Sequence, residues 1–240
     1  MPDITVVCGC FGSGKTEFSI NLAKKLAGSG GETALVDLDV INPMFNSEHH
    51  RQYLLRNGVQ IISTPNDQRC DCPSLSPEIY TAFDGKYEHV IFDVGGDKAG
   101  SIVLGSFHDR FLNAAADVRV LFIVNTRRPM SASADQIMEA MERISRAARL
   151  PVSGLINNTN LGAETTPAHL AEGQVILEKV STATGVPIVL HAGTAEVLRK
   201  AEQCYALKGE PFELDPVNRP AFMKYGIRHG NVYSSGSVSL

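Results

Sequence analysis

The residues best suited to chemistry stand near the start of the 240-residue chain. Gly9-Cys10-Phe11-Gly12-Ser13-Gly14-Lys15-Thr16 fits the spacing G-x-x-x-x-G-K-[ST], between an apolar run and an amphipathic stretch. Glycines at these places let successive backbone N–H groups converge on phosphate oxygens, and a helix starting there adds the positive end of its dipole. Gly9, Gly12, Ser13 and Gly14 would shape the cradle. Lys15 would bridge the β- and γ-phosphates of a nucleotide, and the Thr16 hydroxyl would ligate Mg²⁺. The plainer alternative is a chance glycine turn before a helix.

Two acidic clusters end later apolar runs: Asp37-Leu38-Asp39-Val40-Ile41-Asn42-Pro43 and Asp93-Val94-Gly95-Gly96-Asp97. Open α/β sheets place their ligands at such strand ends. An aspartate there can hold Mg²⁺ through water, and Gly95 and Gly96 let the backbone turn under a γ-phosphate and move when it leaves. The competing readings are a helix-capping acid at Asp93 and a turn residue at Asp39.

These residues need strands and helices to position them. Candidate strands are Ile4–Cys8, Thr33–Asp37, Gln60–Ser63, His89–Asp93, Val118–Val124, Val152–Asn157 and Pro187–His191. Most are continuous apolar runs, as expected of strands covered on both faces. Amphipathic stretches alternate with them. In Ser131–Ala148, Ile137, Met141, Ile144 and Ala148 share one stripe. Ser76-Pro77-Glu78 reads as a helix start, and Gly28–Gly31 as the end of the first helix. The alternation predicts an α/β fold with a doubly wound parallel sheet.

Together the three motifs resemble the MinD/ParA group of P-loop ATPases, within the CobQ/CobB/MinD/ParA nucleotide-binding family. The resemblance spans about residues 2–205 and is specific at the motifs. It implies a three-layer P-loop NTPase fold: a mostly parallel sheet of seven or eight strands with helices on both faces. It also implies that Asp39 positions the attacking water, Asp37 supports the metal site, Asp93 belongs to the second metal-binding segment, and Gly95 and Gly96 form a switch. In this family an asparagine after a late strand often reads the base. Here Asn157 and Asn158 match, and an amide can pair with the N6–N7 edge of adenine. A turn or helix cap is the structural alternative for each. A guanine reader would more typically carry Asn-Lys-x-Asp, whose acid is missing, so ATP is expected over GTP.

The chain departs from many relatives at Cys10, where they carry a second lysine that reaches the nucleotide of the opposite subunit, and at Phe11, which replaces a glycine. Another cation would then have to stabilise the transition state. Lys98, Arg127 and Arg128 are the candidates, with a solvated or partner-facing charge as the plainer reading of each.

Composition narrows the function. With 22 basic against 26 acidic side chains the net charge is −4, which offers no field for nucleic acid or anionic lipid. The 43% hydrophobic content is ordinary for a globule. No run approaches the roughly 18–20 apolar residues that span a bilayer. Five cysteines without a basic leader fit a reducing, cytoplasmic setting. Cys70 and Cys72 form a C-x-C pair that would bind a soft metal only with further ligands. His49-His50 reads as an exposed helix start. The expected organisation is a nucleotide-binding domain over residues 1–225 and a Gly/Ser-rich tail over 226–240.

The leading expectation is a Mg²⁺-dependent ATPase that switches shape on a protein partner, with a homodimer in keeping with the family. The alternatives are a nucleotide-stabilised binding module with negligible turnover, a GTP-dependent metal-insertion accessory protein, and a small-molecule ligase or kinase.

Overall fold

The computed structural model describes residues 3–39, 51–63, 77–96, 98–114 and 117–215, with backbone alone at Lys98 and Ala99. The expectations placed on Asn42, Pro43, His49, His50, Cys70, Cys72, Ser76, Asp97 and the 226–240 tail lie outside these residues.

Strand–helix alternation builds one sheet. In chain order the elements are β1 (Asp3–Cys8), α1 (Lys15–Gly28), β2 (Thr33–Asp37), α2 (Arg51–Arg56), β3 (Val59–Ser63), a 3-10 segment (Pro77–Phe83), β4 (His89–Asp93), α3 (Lys98–Ser106), α4 (His108–Asn113), β5 (Asp117–Val124), α5 (Ala134–Ala148), β6 (Gly154–Asn157), α6 (Pro167–Thr184), β7 (Ile188–Gly193), α7 (Ala195–Cys204) and β8 (Glu210–Glu213). The strand order is β3-β2-β4-β1-β5-β6-β7-β8. Every neighbouring pair is parallel. All seven expected strands are present.

The two-residue period of each strand feeds two cores. Ile4, Val6, Val36, Phe92 and Phe122 face a cluster with Leu104 of α3, Phe111 of α4 and Ile137, Met141 and Ile144 of α5. Val7, Leu35, Ile91 and Ile123 face the opposite cluster with Phe18, Ile20 and Ala23 of α1 and Leu54 of α2. Each fully buried large side chain contributes about 1.5–3 kcal/mol, so burial on both faces explains why these strands read as unbroken apolar runs.

Local chemistry sets the boundaries. Ser133 caps α5, its hydroxyl accepting from Gln136 N at 3.3 Å in a capping box. β6 begins at Gly154, later than Val152, because the Ser153 hydroxyl joins the bonding to β5 and accepts from Val120 N at 2.9 Å. A helical segment does start at Pro77 with Glu78 in its first turn, and over Pro77–Phe83 it is 3-10. β8 is the unexpected strand. It is short, carries Pro211 and exposes its two glutamates, so only buried Phe212 marks it. Proline is tolerated there because β8 is at the sheet edge. No described helix is long and apolar enough to cross a membrane.

Register brings the acids to the glycine loop. Asp37 pairs with Asp93 across β2 and β4, and Val7 pairs with Asp93 across β1 and β4. β1 lies between β4 and β5, so the loop leaving it opens at the point where strand order reverses.

Candidate functional site

Gly14 opens α1 with φ 90°, a left-handed geometry that glycine adopts at no steric cost. A Cβ there would lie 2.4 Å from Asn158 Nδ2. That amide donates to Ser13 O at 2.8 Å, so β6 braces the loop from one side. Gly9 turns the chain out of β1 against the Ile123 carbonyl. Gly12 adjoins the Arg128 side chain. Ser13 is fully buried, and its hydroxyl has no hydrogen bond among the described residues.

Gly14→Ala would place a methyl group on that amide and strain the backbone. We expect a stability loss of about 2–4 kcal/mol and weaker nucleotide binding, read by denaturant unfolding and by titration with a nucleotide. A midpoint equal to wild type would show that Asn158 does not brace the loop.

Lys15 is only 7% exposed. Its Nζ donates to Cys10 O at 3.1 Å, back into the concavity of its own loop. Burial pulls its pKa down, while the charges of Asp93 and Asp39 hold it up. Gly96 closes the same space: a Cβ there would lie 2.7 Å from Lys15 Nζ and 2.8 Å from Phe11 N. Gly95 packs against Gly100 in the first turn of α3. The expected switch glycines therefore touch the phosphate loop and the helix that follows them.

Asp93 is 1% exposed. Ser19 donates to its Oδ1 at 3.2 Å, and its Oδ2 is buried with no hydrogen bond among the described residues. Burial pushes its pKa up to about 6, against the Thr16 hydroxyl and Lys15 close by; Asp39 pushes it further up. Asp37 is buried beside it, and its Oδ1 accepts from Asp39 N at 3.0 Å, which fixes the backbone at Asp39. Leu38 N donates to Asp93 O at 2.9 Å, tying the two acidic segments together.

Among the described residues no group of three His, Cys, Asp or Glu is placed to hold a metal by itself. Mg²⁺ does not need one, since it keeps several waters and takes phosphate oxygens from its nucleotide. The buried Asp93 carboxyl, close to the Thr16 hydroxyl and with Oδ2 unused among the described residues, fits such an ion. Cys8 and Cys10 do not make a metal pair. Burial pushes the Cys8 thiol up to about 12 and raises Cys10 as well, and each sulfur lies against a backbone carbonyl, Leu121 O and Met130 O.

The base-reading expectation needs correction at Asn157. This side chain is fully buried; its Nδ2 donates to Leu170 O at 2.8 Å and its Oδ1 accepts from Thr159 N at 3.2 Å. Both amide atoms are engaged inside the protein, and none of the side chain reaches the surface. Asn158 spends its amide donor on the phosphate loop. The structure also adds Asn125, at the end of β5, which was not expected. Its Oδ1 accepts from Arg127 N at 3.0 Å and Asn160 N at 3.2 Å, and its Nδ2 donates to Asn160 O at 3.1 Å. An Asn directly after an apolar strand that points at the site was the signal available in the sequence. Of the three candidate cations, Arg127 is ion-paired with Glu172, Arg128 reaches the phosphate loop, and the Lys98 side chain lies outside the described residues.

A phosphate loop at the switch point of a parallel sheet, with a buried lysine among carboxylates, defines a P-loop nucleotide-binding domain. The family can be stated more narrowly. Residues 4–166 match the CobQ/CobB/MinD/ParA nucleotide binding domain, and the chain belongs to that family. A comparison with curated proteins gave no significant match.

Among solved structures the fold is similar to cell division protein FtsY of Thermotoga maritima, with TM-score 0.53 and 19% identity over 80% of this chain and 62% of that one. It is also similar to the signal recognition particle receptor FtsY of Elizabethkingia anophelis, with TM-score 0.52 and 17% identity over 87% and 63%. A third is the signal recognition particle 54 kDa protein of Aeropyrum pernix in complex with GDP, with TM-score 0.51 and 19% identity over 78% and 40%. The chain thus spans less than two thirds of each of these relatives, and the likeness is one of fold.

Proposed function

We propose that the protein binds ATP with Mg²⁺ and hydrolyses it, as a switch that engages a protein partner. The observation that carries this reading is the single cluster formed by Lys15, Asp93, Asp37 and Asp39 around the glycine loop. Members of the family generally hydrolyse nucleoside triphosphates, which favours turnover over mere binding.

In this reading the loop N–H groups and Lys15 hold the β- and γ-phosphates. Thr16 and Asp93 hold Mg²⁺, with Asp37 in support. Asp39, its backbone pinned by Asp37, orients the water that attacks the γ-phosphorus. Mg²⁺ supplies positive charge against the phosphate oxygens. ATP is favoured over GTP because Asn157–Asn160, at the end of β6 and just beyond it, carry no carboxylate to accept the N1–H and N2–H donors of guanine. The GDP held by the Aeropyrum pernix protein makes GTP the necessary comparison.

The switch reading rests on contact. The Asp37–Asp39 segment is bonded to Asp93, and Gly96 lies against the loop, so loss of a γ-phosphate would reach both segments. Phe11, 59% exposed, and Met130, 55% exposed, sit beside them as apolar anchors for a partner.

The test is Mg²⁺-dependent phosphate release with ATP and GTP in parallel, for wild type and Asp39→Ala. We expect turnover with ATP, falling at least tenfold in the variant while nucleotide affinity changes less than about threefold. A wild-type protein that binds neither Mg·ATP nor Mg·GTP would end the reading.

A further inference from the structure

The phosphate loop lacks the second lysine, and Cys10 in its place is buried with its thiol against Met130 O. Hydrolysis of ATP forms a bond from the water oxygen to the γ-phosphorus and breaks the bond to the β–γ bridging oxygen. The electron pair stays on ADP, and the water's proton leaves with phosphate. A positive charge near that oxygen, added to that of Lys15, lowers the barrier further.

We propose that Arg128 is that cation, supplied from the same chain by the loop after β5. This rests on the reading of the site as one that hydrolyses a nucleoside triphosphate.

Four observations converge on Arg128. First, its Nε donates to Gly12 O at 3.1 Å, and its Nε, Cδ and Cγ lie 3.5–3.8 Å from where a Cβ of Gly12 would be. The side chain therefore runs along the phosphate loop itself. Second, the Nε bond uses one of five N–H donors. Among the described residues no ion pair and no other side-chain hydrogen bond engages the guanidinium, which leaves the fork of η nitrogens for a phosphoryl oxygen. Arg127, by contrast, is ion-paired with Glu172 of α6.

Third, the backbone is fixed. Arg128 N donates to Asn125 O at 3.1 Å, Ser131 N donates to Arg128 O at 3.0 Å, and the Ser131 hydroxyl donates to Asn125 O at 2.8 Å. Asn125 is itself held by Asn160 on both amide atoms. Fourth, the same turn touches the phosphate loop again where the Cys10 thiol meets Met130 O. The residue occupying the lysine position thus helps to seat the arginine that replaces it. Such a cation is already in position when nucleotide arrives and costs little reorganisation as charge develops.

The experiment uses the full chain and three variants, Arg128→Ala, Arg128→Lys and Arg127→Ala. Steady-state turnover of Mg·ATP is measured alongside affinities for Mg·ADP and for Mg·ADP with aluminium fluoride, a mimic of the γ-phosphoryl group in transit. Arg128→Ala should lower kcat by about 100-fold or more and abolish the aluminium fluoride complex, with Mg·ADP affinity within about threefold of wild type. Arg128→Lys should recover only part of this, since a lysine lacks the planar fork. Arg127→Ala should resemble wild type.

Arg128 is exposed, so thermal melts of the variants should match wild type and separate chemistry from folding. A kcat for Arg128→Ala within threefold of wild type would overturn the assignment, as would equal losses of ADP and ATP affinity. If the wild type binds nucleotide without turnover, retention of the aluminium fluoride complex in Arg128→Ala overturns it too. A wild type that binds no nucleotide overturns the hydrolase reading first and the arginine with it, so the two failures are distinguishable.

Discussion

Lys15→Ala should lower affinity for Mg·ATP at least 100-fold while leaving the fold in place. The lysine sits at the mouth of α1, nearly buried, with Cys10 O as its one hydrogen-bond acceptor among the described residues. A cation in this position is poorly solvated, and burial already pulls its pKa down. Phosphate oxygens would give it the charge-assisted bonds the free protein withholds. A loss of 100-fold corresponds to about 2.7 kcal/mol, the scale of one or two such bonds.

Little of the fold depends on Lys15. The apolar side of α1 is carried by Phe18, Ile20 and Ala23, so the helix keeps its packing in the variant, while Asp93 loses a neighbouring positive charge. The measurement is a nucleotide titration beside a thermal melt. A variant that binds Mg·ATP within about threefold of wild type would show that the phosphates lie elsewhere.

The parts of this site that were legible in the sequence are those whose geometry is local. Gly9–Thr16 specifies its own cradle, because the glycines, the strand before it and the helix after it are contiguous. The acids at Asp37 and Asp93 were legible for the same reason, each closing an apolar run. Their adjacency was not. It depends on the register of β2 against β4, two strands separated by β3 in the chain, which single-segment patterns do not encode.

The asparagines show a second kind of limit. An amide carries a donor and an acceptor that suit adenine and a backbone equally. Asn157 turned inward to Leu170 O and Thr159 N, and Asn158 went to Ser13 O, so residue type named the candidates without choosing their partners. The same holds for Arg127 and Arg128, neighbours in sequence with opposite fates, decided by Glu172 on one side and Gly12 on the other. β8 was hidden because Pro211 and two glutamates leave a single buried side chain to signal it.

Asp93→Asn should move stability and function in opposite directions. The carboxyl is buried, and its pKa lies near 6 in the folded protein against 3.8 for the ordinary group. The folded state therefore holds the proton more tightly than the unfolded chain. This contribution is fully present below the unfolded value and fades as pH rises through about 6. Above that the ionised, buried carboxylate costs the fold about 3 kcal/mol.

An amide of the same shape carries no such cost. Because Asp93 also supports the charge on Lys15, the net gain is smaller. We expect the ligand-free variant to be more stable than wild type by about 1–3 kcal/mol at pH 7.5. Wild type alone should lose about 1 kcal/mol between pH 5 and 7.5 through this group. An amide is also a poorer ligand for Mg²⁺, a hard cation that favours charged oxygen. Mg·ATP should raise the melting temperature of wild type, and Mg²⁺ should add nothing to the effect of ATP on the variant.

Denaturant unfolding at the two pH values, with and without Mg²⁺ and ATP, reads both effects. A variant less stable than wild type at pH 7.5 would mean that the carboxylate is compensated in the folded protein. An intact Mg²⁺ response would move the metal away from Asp93. The joint outcome, a steadier fold that no longer answers Mg²⁺, would show that this buried acid is kept at the expense of stability for the ion it binds.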